Sequence, residues 1–155
     1  MRNEDRASIA EVIHRYGVAL DARDAEGVLA CFTDDVCLEY FNGAVVANGV
    51  DEARKFFRFD GSGSALPGLD SILSTTHLWN VGAIDGVGDQ VTVSTSCIAY
   101  LLGLADGQGV LVTRGLRYVD DLRRSSSGWQ ISHRRHLPDW EARTPAVVSS
   151  PTQSL

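Results

Sequence analysis

The second half of the chain consists of long stretches in which apolar and polar residues alternate, over residues 74–84, 90–104 and 110–122, with a fourth over 129–136. Period-two patterning on this scale predicts strands. The first three stretches are separated by Asp85-Gly86-Val87-Gly88 and Ala105-Asp106-Gly107-Gln108-Gly109, and a polar loop over 124–128 precedes the fourth. Turns this short join antiparallel neighbours.

The N-terminal part follows a different period. Over residues 4–22, Ile9, Val12, Ile13, Tyr16, Ala19 and Leu20 recur at three- and four-residue steps, the mark of an amphipathic helix. Asn3 or Asp5 can cap its start, and Asp24 caps a short second helix reaching Ala30-Cys31-Phe32. Residues 36–41 alternate, Asn42-Gly43 is a hairpin turn, and 44–47 return as a strand. A third helix is expected over 50–57, with Asp51 and Glu52 in its first turn and Arg54 and Lys55 later, as the helix dipole favours. Helices first and long antiparallel strands afterwards give an α+β fold. The expected form is a cone-shaped barrel: a curved, mainly antiparallel mixed sheet wrapped around the N-terminal helices, with a small-molecule pocket between them. Residues 1–140 are read as one domain and 141–155 as a partly disordered C-terminal tail. The Gly/Ser-rich stretch 61–68 is placed at the pocket mouth as a lid.

Composition narrows the function. A chain of 155 residues is one domain. Its formal charge of -6 argues against a general binder of nucleic acid or anionic membrane, which needs excess Lys and Arg. No apolar run is long enough to span a bilayer. The opening Met1-Arg2-Asn3-Glu4-Asp5 lacks the apolar core of a signal peptide. Cys31, Cys37 and Cys97 form no CxxC and are read as reduced thiols of a cytoplasmic protein. Lys55 is the single lysine, so Schiff-base chemistry has almost no candidate.

His133 and His136 form an HxxH, but on a strand they face opposite sides, and no cysteine is nearby in sequence; no metal site is expected. Phosphate-binding, dinucleotide and GxSxG motifs are absent. Acid–base residues at element ends remain. Asp21 stands at the C-terminal end of the first helix, where an acid is electrostatically unfavourable and calls for a partner. His77 lies in the apolar-flanked strand Thr75-Thr76-His77-Leu78-Trp79, Tyr16 on the apolar helix face, Tyr40 in the first strand and Arg134 in the last. Each alone has a plain structural reading, as helix end, core residue or surface charge.

As an ordered series they are more specific. The segment Tyr16-Gly17-Val18-Ala19-Leu20-Asp21-Ala22-Arg23-Asp24-Ala25-Glu26-Gly27-Val28, then Cys31-Phe32-Thr33-Asp34-Asp35-Val36, His77-Leu78-Trp79-Asn80, Gly115 with Tyr118, and Gly128-Trp129-Gln130-Ile131-Ser132-His133-Arg134 resembles the SnoaL-like branch of the nuclear transport factor 2-like superfamily. This branch includes scytalone dehydratase, bile-acid dehydratase, hexachlorocyclohexane dehydrochlorinase and polyketide cyclases. The resemblance implies chemistry without a cofactor by an Asp–His pair, matched by Asp21 and His77. It also implies supporting roles for Tyr16, for Tyr40 as an acid acting through water, and for Arg134 in stabilising charge. Three positions depart. Leu20 replaces scytalone dehydratase's second tyrosine, Leu38 replaces the dehydrochlorinase's tryptophan, and that dehydratase's second histidine has no match, Cys97 and Tyr100 being nearest.

These residues suit loss of water or ring closure beside a carbonyl. A neutral imidazole takes the α-proton, and the carboxylate fixes its tautomer. A lining of Phe32, Leu38, Phe56, Phe57, Trp79, Cys97 and Leu116 suits a hydrophobic, oxygenated ring system. The expected function is a dehydratase (lyase) or isomerase. A polyketide-type cyclase is the alternative, and a non-catalytic binding or scaffold subunit the third reading. Tyr16 and Asp21, five residues apart, share a face only if the helix ends near Leu20 and Asp21 turns back. Strand parity sets Arg134 against Trp129 and Ile131. With Arg134 inside, those two would face out and need a cover, which predicts a homo-oligomer, dimer or trimer, through the outer sheet face.

Overall fold

The computed structural model describes residues 3–60 and 66–149. Among them, in chain order, are α1 (Asn3–Asp21), α2 (Ala25–Leu29), β1 (Phe32–Tyr40), β2 (Ala44–Asn48), α3 (Val50–Phe56), β3 (Ser71–Val87), β4 (Gln90–Ala105), β5 (Gln108–Ser125) and β6 (Gly128–Pro145). The strands form one mixed sheet in the order β2-β1-β6-β5-β4-β3. β1 and β6 pair in parallel, and the other neighbours are antiparallel. The fold is α+β as expected. The sheet does not close into a barrel, because β2 and β3 remain its two edges.

The apolar stripe of α1 is buried against the sheet, with Ile9, Val12, Ile13 and Tyr16 almost without solvent contact. α1 ends in a tight reversal. Arg23 adopts a left-handed φ of 55°. The Arg23 N–H donates to Leu20 O at 3.1 Å and the Asp24 N–H to Ala19 O at 2.9 Å, the two bonds of a Schellman motif with arginine in place of the usual glycine. Asp24 then caps α2, its carboxylate accepting from the Gly27 N–H at 2.9 Å.

Two expectations are corrected here. The fourth long strand does not stop at His136 but runs to Pro145, so residues 141–145 belong to the sheet rather than to the tail. Backbone pairing with β5 carries it, and Arg117–Asp139 at 2.8 Å and Arg114–Glu141 at 3.4 Å tie the two strands through their side chains. The parity of β6 is also reset. The register steps from Ile131 opposite Leu122 to His133 opposite Asp121, leaving Ser132 as an extra residue. That bulge turns Trp129, Ile131, Arg134 and His136 all inward, each buried. Trp129 and Ile131 therefore need no cover from another molecule, and this premise for a homo-oligomer falls. Of the expected 61–68 lid, residues 61–65 lie outside the described residues; Pro67 is held by Arg143, whose Nη2 donates to its carbonyl at 2.7 Å.

Candidate active site

The reversal after α1 delivers Asp21 to the edge strand β3. Thr75, His77 and Trp79 alternate onto the face that meets α1, while Leu78 points away and is exposed. Asp21 is gripped at three points. The Thr75 hydroxyl donates to Oδ1 at 2.8 Å, the His77 backbone N–H donates to Oδ2 at 2.8 Å, and His77 Nδ1 lies 2.6 Å from Oδ1. Burial opposes ionisation of Asp21, but the hydrogen bonds from His77 and Thr75 outweigh it and hold the carboxyl below its ordinary range. An ionised carboxylate only accepts, so Nδ1 is the donor of this bond; in a neutral imidazole Nε2 then presents a lone pair. The pair is sheltered but not sealed, with 9% of the His77 side chain and 26% of that of Asp21 exposed.

Beyond His77 the interior is aromatic. Trp79 stacks on His77 with centroids 5.5 Å apart and meets Tyr16 edge-on at 5.7 Å. Tyr16 also meets Phe32 and Phe57, and its hydroxyl lies 3.4 Å from that of Tyr40. Burial pushes the Tyr16 phenol up, and those of Tyr40 and Tyr118 well up, so all three stay protonated. Arg134 is completely buried and bidentate on Asp120, with both bonds at 2.7 Å. Its guanidinium lies 3.9 Å from the centre of the Tyr16 ring and 4.5 Å from that of Tyr118. Burial opposes its charge, yet Asp120 more than restores it and keeps Arg134 protonated well beyond its ordinary range.

The structure thus gathers Asp21 and His77 into one pair and Tyr16, Tyr40 and Arg134 into the adjoining aromatic cluster. Tyr16 and Asp21 share this region because the helix ends at Asp21. Of the expected lining, Phe32, Leu38, Phe57, Cys97 and Leu116 are buried, and Phe56 and Trp79 are partly so. Burial pushes the Cys97 thiol up to about 12, so it is no nucleophile.

Four residues join the site that the sequence reading does not assign to it. Thr75 orients Asp21, and Asp120 neutralises Arg134. Tyr118 and His136 complete the aromatic wall: His136 stacks on Tyr40 at 4.7 Å and meets Tyr118 edge-on at 5.3 Å. Burial, with the cations Arg114 and Arg134, lowers its imidazole to about 4, so it is neutral at physiological pH. A second histidine therefore joins this cluster, supplied by β6 rather than by β4, the strand of Cys97 and Tyr100. Its equal parity with Arg134, two residues away, was the available signal. Among the described residues, Trp79 Nε1, Arg134 Nη1 and His136 Nδ1 are buried polar atoms without a hydrogen-bond partner.

The SnoaL-like domain family matches residues 1–135. The chain belongs to the SnoaL-like family. No curated protein matches this SnoaL-like chain. Among solved structures it is similar to a hexachlorocyclohexane dehydrochlorinase (TM-score 0.74, 15% identity, 96% of this chain and 95% of that one). It is similar also to a scytalone dehydratase candidate from Novosphingobium aromaticivorans (0.71, 19%, 94% and 89%). A ketosteroid isomerase-like protein from Erwinia carotovora atroseptica is a third (0.66, 20%, 88% and 98%). At these identities the likeness establishes the nuclear transport factor 2-like fold alone. The family includes dehydratases, isomerases and cyclases, so family and fold leave the reaction of the SnoaL-like chain to its own side chains.

Proposed function

We propose that the chain is a cofactor-independent acid–base enzyme, a dehydratase (lyase) or isomerase, acting on a hydrophobic, oxygenated cyclic small molecule. The observation that carries this reading is the 2.6 Å contact between Asp21 Oδ1 and His77 Nδ1, at the rim of an aromatic interior. His77 Nε2 takes a proton from the carbon beside a carbonyl. Asp21, already ionised and locked by Thr75 and the backbone of β3, stabilises the imidazolium that forms. Tyr16 and Tyr40 share one hydrogen bond between two hydroxyls, so one phenolic hydrogen remains to donate to a substrate oxygen. Arg134 acts mainly by holding the Tyr16 and Tyr118 rings, and its Nη1 offers one further donor. The imidazolium then returns the proton to the departing hydroxyl, which leaves as water, or to another carbon, which completes an isomerisation. Acid–base help of this kind is worth about 10²–10⁴-fold for each positioned group.

The test needs no knowledge of the leaving group. Wild-type protein is incubated in D2O with a panel of hydroxylated cyclic ketones, and deuterium entry beside the carbonyl is followed by NMR. We expect exchange with at least one compound, together with a product lighter by one water or an isomer of equal mass. His77→Ala and Asp21→Asn should slow that exchange by about 10²-fold or more while near-UV circular dichroism is retained. Unchanged exchange in both variants would reject the assignment and favour a binding or scaffold subunit. A product of equal mass containing a new ring would favour the cyclase reading.

Self-association through the outer sheet face belongs to the same proposal, on different support. Leu78, Ile98, Gly115 and Trp140 lie side by side across β3, β4, β5 and β6. Leu78 and Trp140 are 56% and 51% exposed. A second copy covering this row would remove both from water. Light scattering should give a dimer or larger, reduced to a monomer by Leu78→Glu; a monomeric wild type would exclude it.

A further inference from the structure

On the opposite face of the sheet from the Asp21–His77 pair, a second group of reactive side chains meets. Cys37 and Glu39 are two residues apart on β1 and alternate with the buried Val36, Leu38 and Tyr40, so they share the outer face. The parallel pairing of β1 with β6 sets Cys37 directly beside His133. This corrects the expectation that no cysteine lies near the HxxH: pairing across the sheet brings one from ninety-six positions away. One donor atom from each of Cys37, Glu39 and His133 falls within 4.8 Å of the other two. His133 itself stands between two carboxylates, with Nε2 2.8 Å from Glu39 Oε1 and Nδ1 3.5 Å from Asp121 Oδ2. Asp121 is held in turn by the Thr92 hydroxyl at 2.7 Å and by Arg135 Nη2 at 2.9 Å.

We propose that Cys37 Sγ, the Glu39 carboxylate and His133 Nε2 form a three-ligand Zn²⁺ site that clips β1 to β6. A thiolate, an imidazole and a carboxylate are the donors a borderline-soft divalent ion selects, whereas Mg²⁺ and Ca²⁺ require oxygen alone. Tetrahedral bonds of about 2.0–2.3 Å set neighbouring donors about 3.5 Å apart. Side-chain rotation would have to open the 2.8 Å Glu39–His133 contact and bring the Cys37 thiol, within 4.8 Å, to the same spacing. Asp121 supplies the carboxylate that orients a ligating histidine through its far nitrogen. Access is open, since His133 and Glu39 are each 29% exposed. Binding releases the Cys37 thiol proton, and any proton on His133 Nε2, to solvent, and leaves the fourth position for water. The clip acts where β1 pairs irregularly with β6, between Phe32 and Cys37, and so steadies the strand whose inner face carries Leu38 and Tyr40.

The test is a titration of the full, reduced chain with Co²⁺, a spectroscopic stand-in for Zn²⁺. We expect a thiolate-to-cobalt charge-transfer absorption saturating at one equivalent and bleached by Zn²⁺. Cys37→Ser should abolish it, whereas Cys31→Ser and Cys97→Ser, at buried positions, should keep it. Asp121→Asn should retain the stoichiometry with affinity weakened ten- to a hundredfold, as for an orienting partner. Independently of any variant, Zn²⁺ should protect wild-type Cys37 from iodoacetamide, read by peptide mass, and a chelator should restore labelling. Absence of the absorption at one equivalent, its survival in Cys37→Ser, or labelling of Cys37 indifferent to Zn²⁺ would each overturn the site and leave a plain His–carboxylate hydrogen bond. None of these readouts depends on the proposed reaction.

Discussion

Asp21 is an acid placed where a helix dipole makes an acid unwelcome, and the structure resolves that conflict through three donors from β3. The need for a partner was visible in the sequence because helix ends carry known electrostatics. The identity of the partners depended on which strand passes the helix end, and local sequence is silent on that. The same limit hid Asp120. Next to Asp121 it reads as surface charge, yet its register opposite Arg134 makes it the counter-ion of a fully buried guanidinium. Removing one partner of such a pair leaves an uncompensated buried charge, so Asp120→Ala should cost about 3–5 kcal/mol in urea denaturation. Asp120→Leu combined with Arg134→Met should recover most of that loss. If Asp120→Ala unfolds at the wild-type midpoint, Arg134 is reaching solvent and the pair is not buried. Thr75→Val gives a milder contrast. It removes one donor to Asp21 and leaves the imidazole in place, so on the reading proposed above kcat should fall several-fold with KM little changed. A rise in KM with kcat unchanged would contradict an orienting role.

Existence and order of the elements were legible, because long period-two and period-3.6 stretches are unambiguous. Their ends and faces were less so. The alternation ends before β6 does because Pro138, Asp139, Glu141 and Arg143 spoil it, although a strand exposed on both faces needs only its backbone partner. Its parity is not legible from sequence because the bulge at Ser132 leaves no mark in composition. Packing between elements turns on one residue that the helical pattern passes over. Gly17 lies inside α1, where in an open helix Ala would be favoured by about 1 kcal/mol. Here a Cβ on residue 17 would lie 2.3 Å from Trp79 Nε1. Gly17→Ala must therefore push the indole, and with it the stack on His77 and the contacts with Tyr16 and Tyr118. Overpacking of this kind costs about 1–3 kcal/mol, which cancels or exceeds the helical gain. The expected outcome is an unchanged or lower urea midpoint, an altered near-UV tryptophan signal, and slower turnover in the deuterium-exchange assay. A midpoint raised by the full helical gain, with an unaltered tryptophan signal, would show that Trp79 is not clamped between α1 and β3.

For the molecule as a whole, the buried polar interior ties stability to pH in a definite direction. His136 is 6% exposed, its Nδ1 has no partner, and burial with the nearby cations lowers its imidazole from 6.5 to about 4. Between those two values the unfolded chain holds a proton on this residue that the folded chain does not, so acidification favours unfolding across that window. The stabilisation is complete above pH 6.5 and has been lost by about pH 4. A shift of this size corresponds to about 3 kcal/mol, or about 6–12 °C in melting temperature for a chain of this length. Asp21 acts lower on the scale. Its carboxyl is depressed in the fold, so its contribution is present above the ordinary carboxylate range and disappears only as pH falls through and below that range. The two windows can be separated by calorimetry across pH. His136→Gln, which keeps a polar side chain without a titrating proton, should flatten the dependence of melting temperature on pH between 6.5 and about 4 while leaving the acid limb below it. Asp21→Asn should do the reverse, softening the acid limb and preserving the slope above it. If His136→Gln retains the full slope, another group takes up the proton, and the neutral imidazole between Tyr40 and Tyr118 is not what limits the fold in acid.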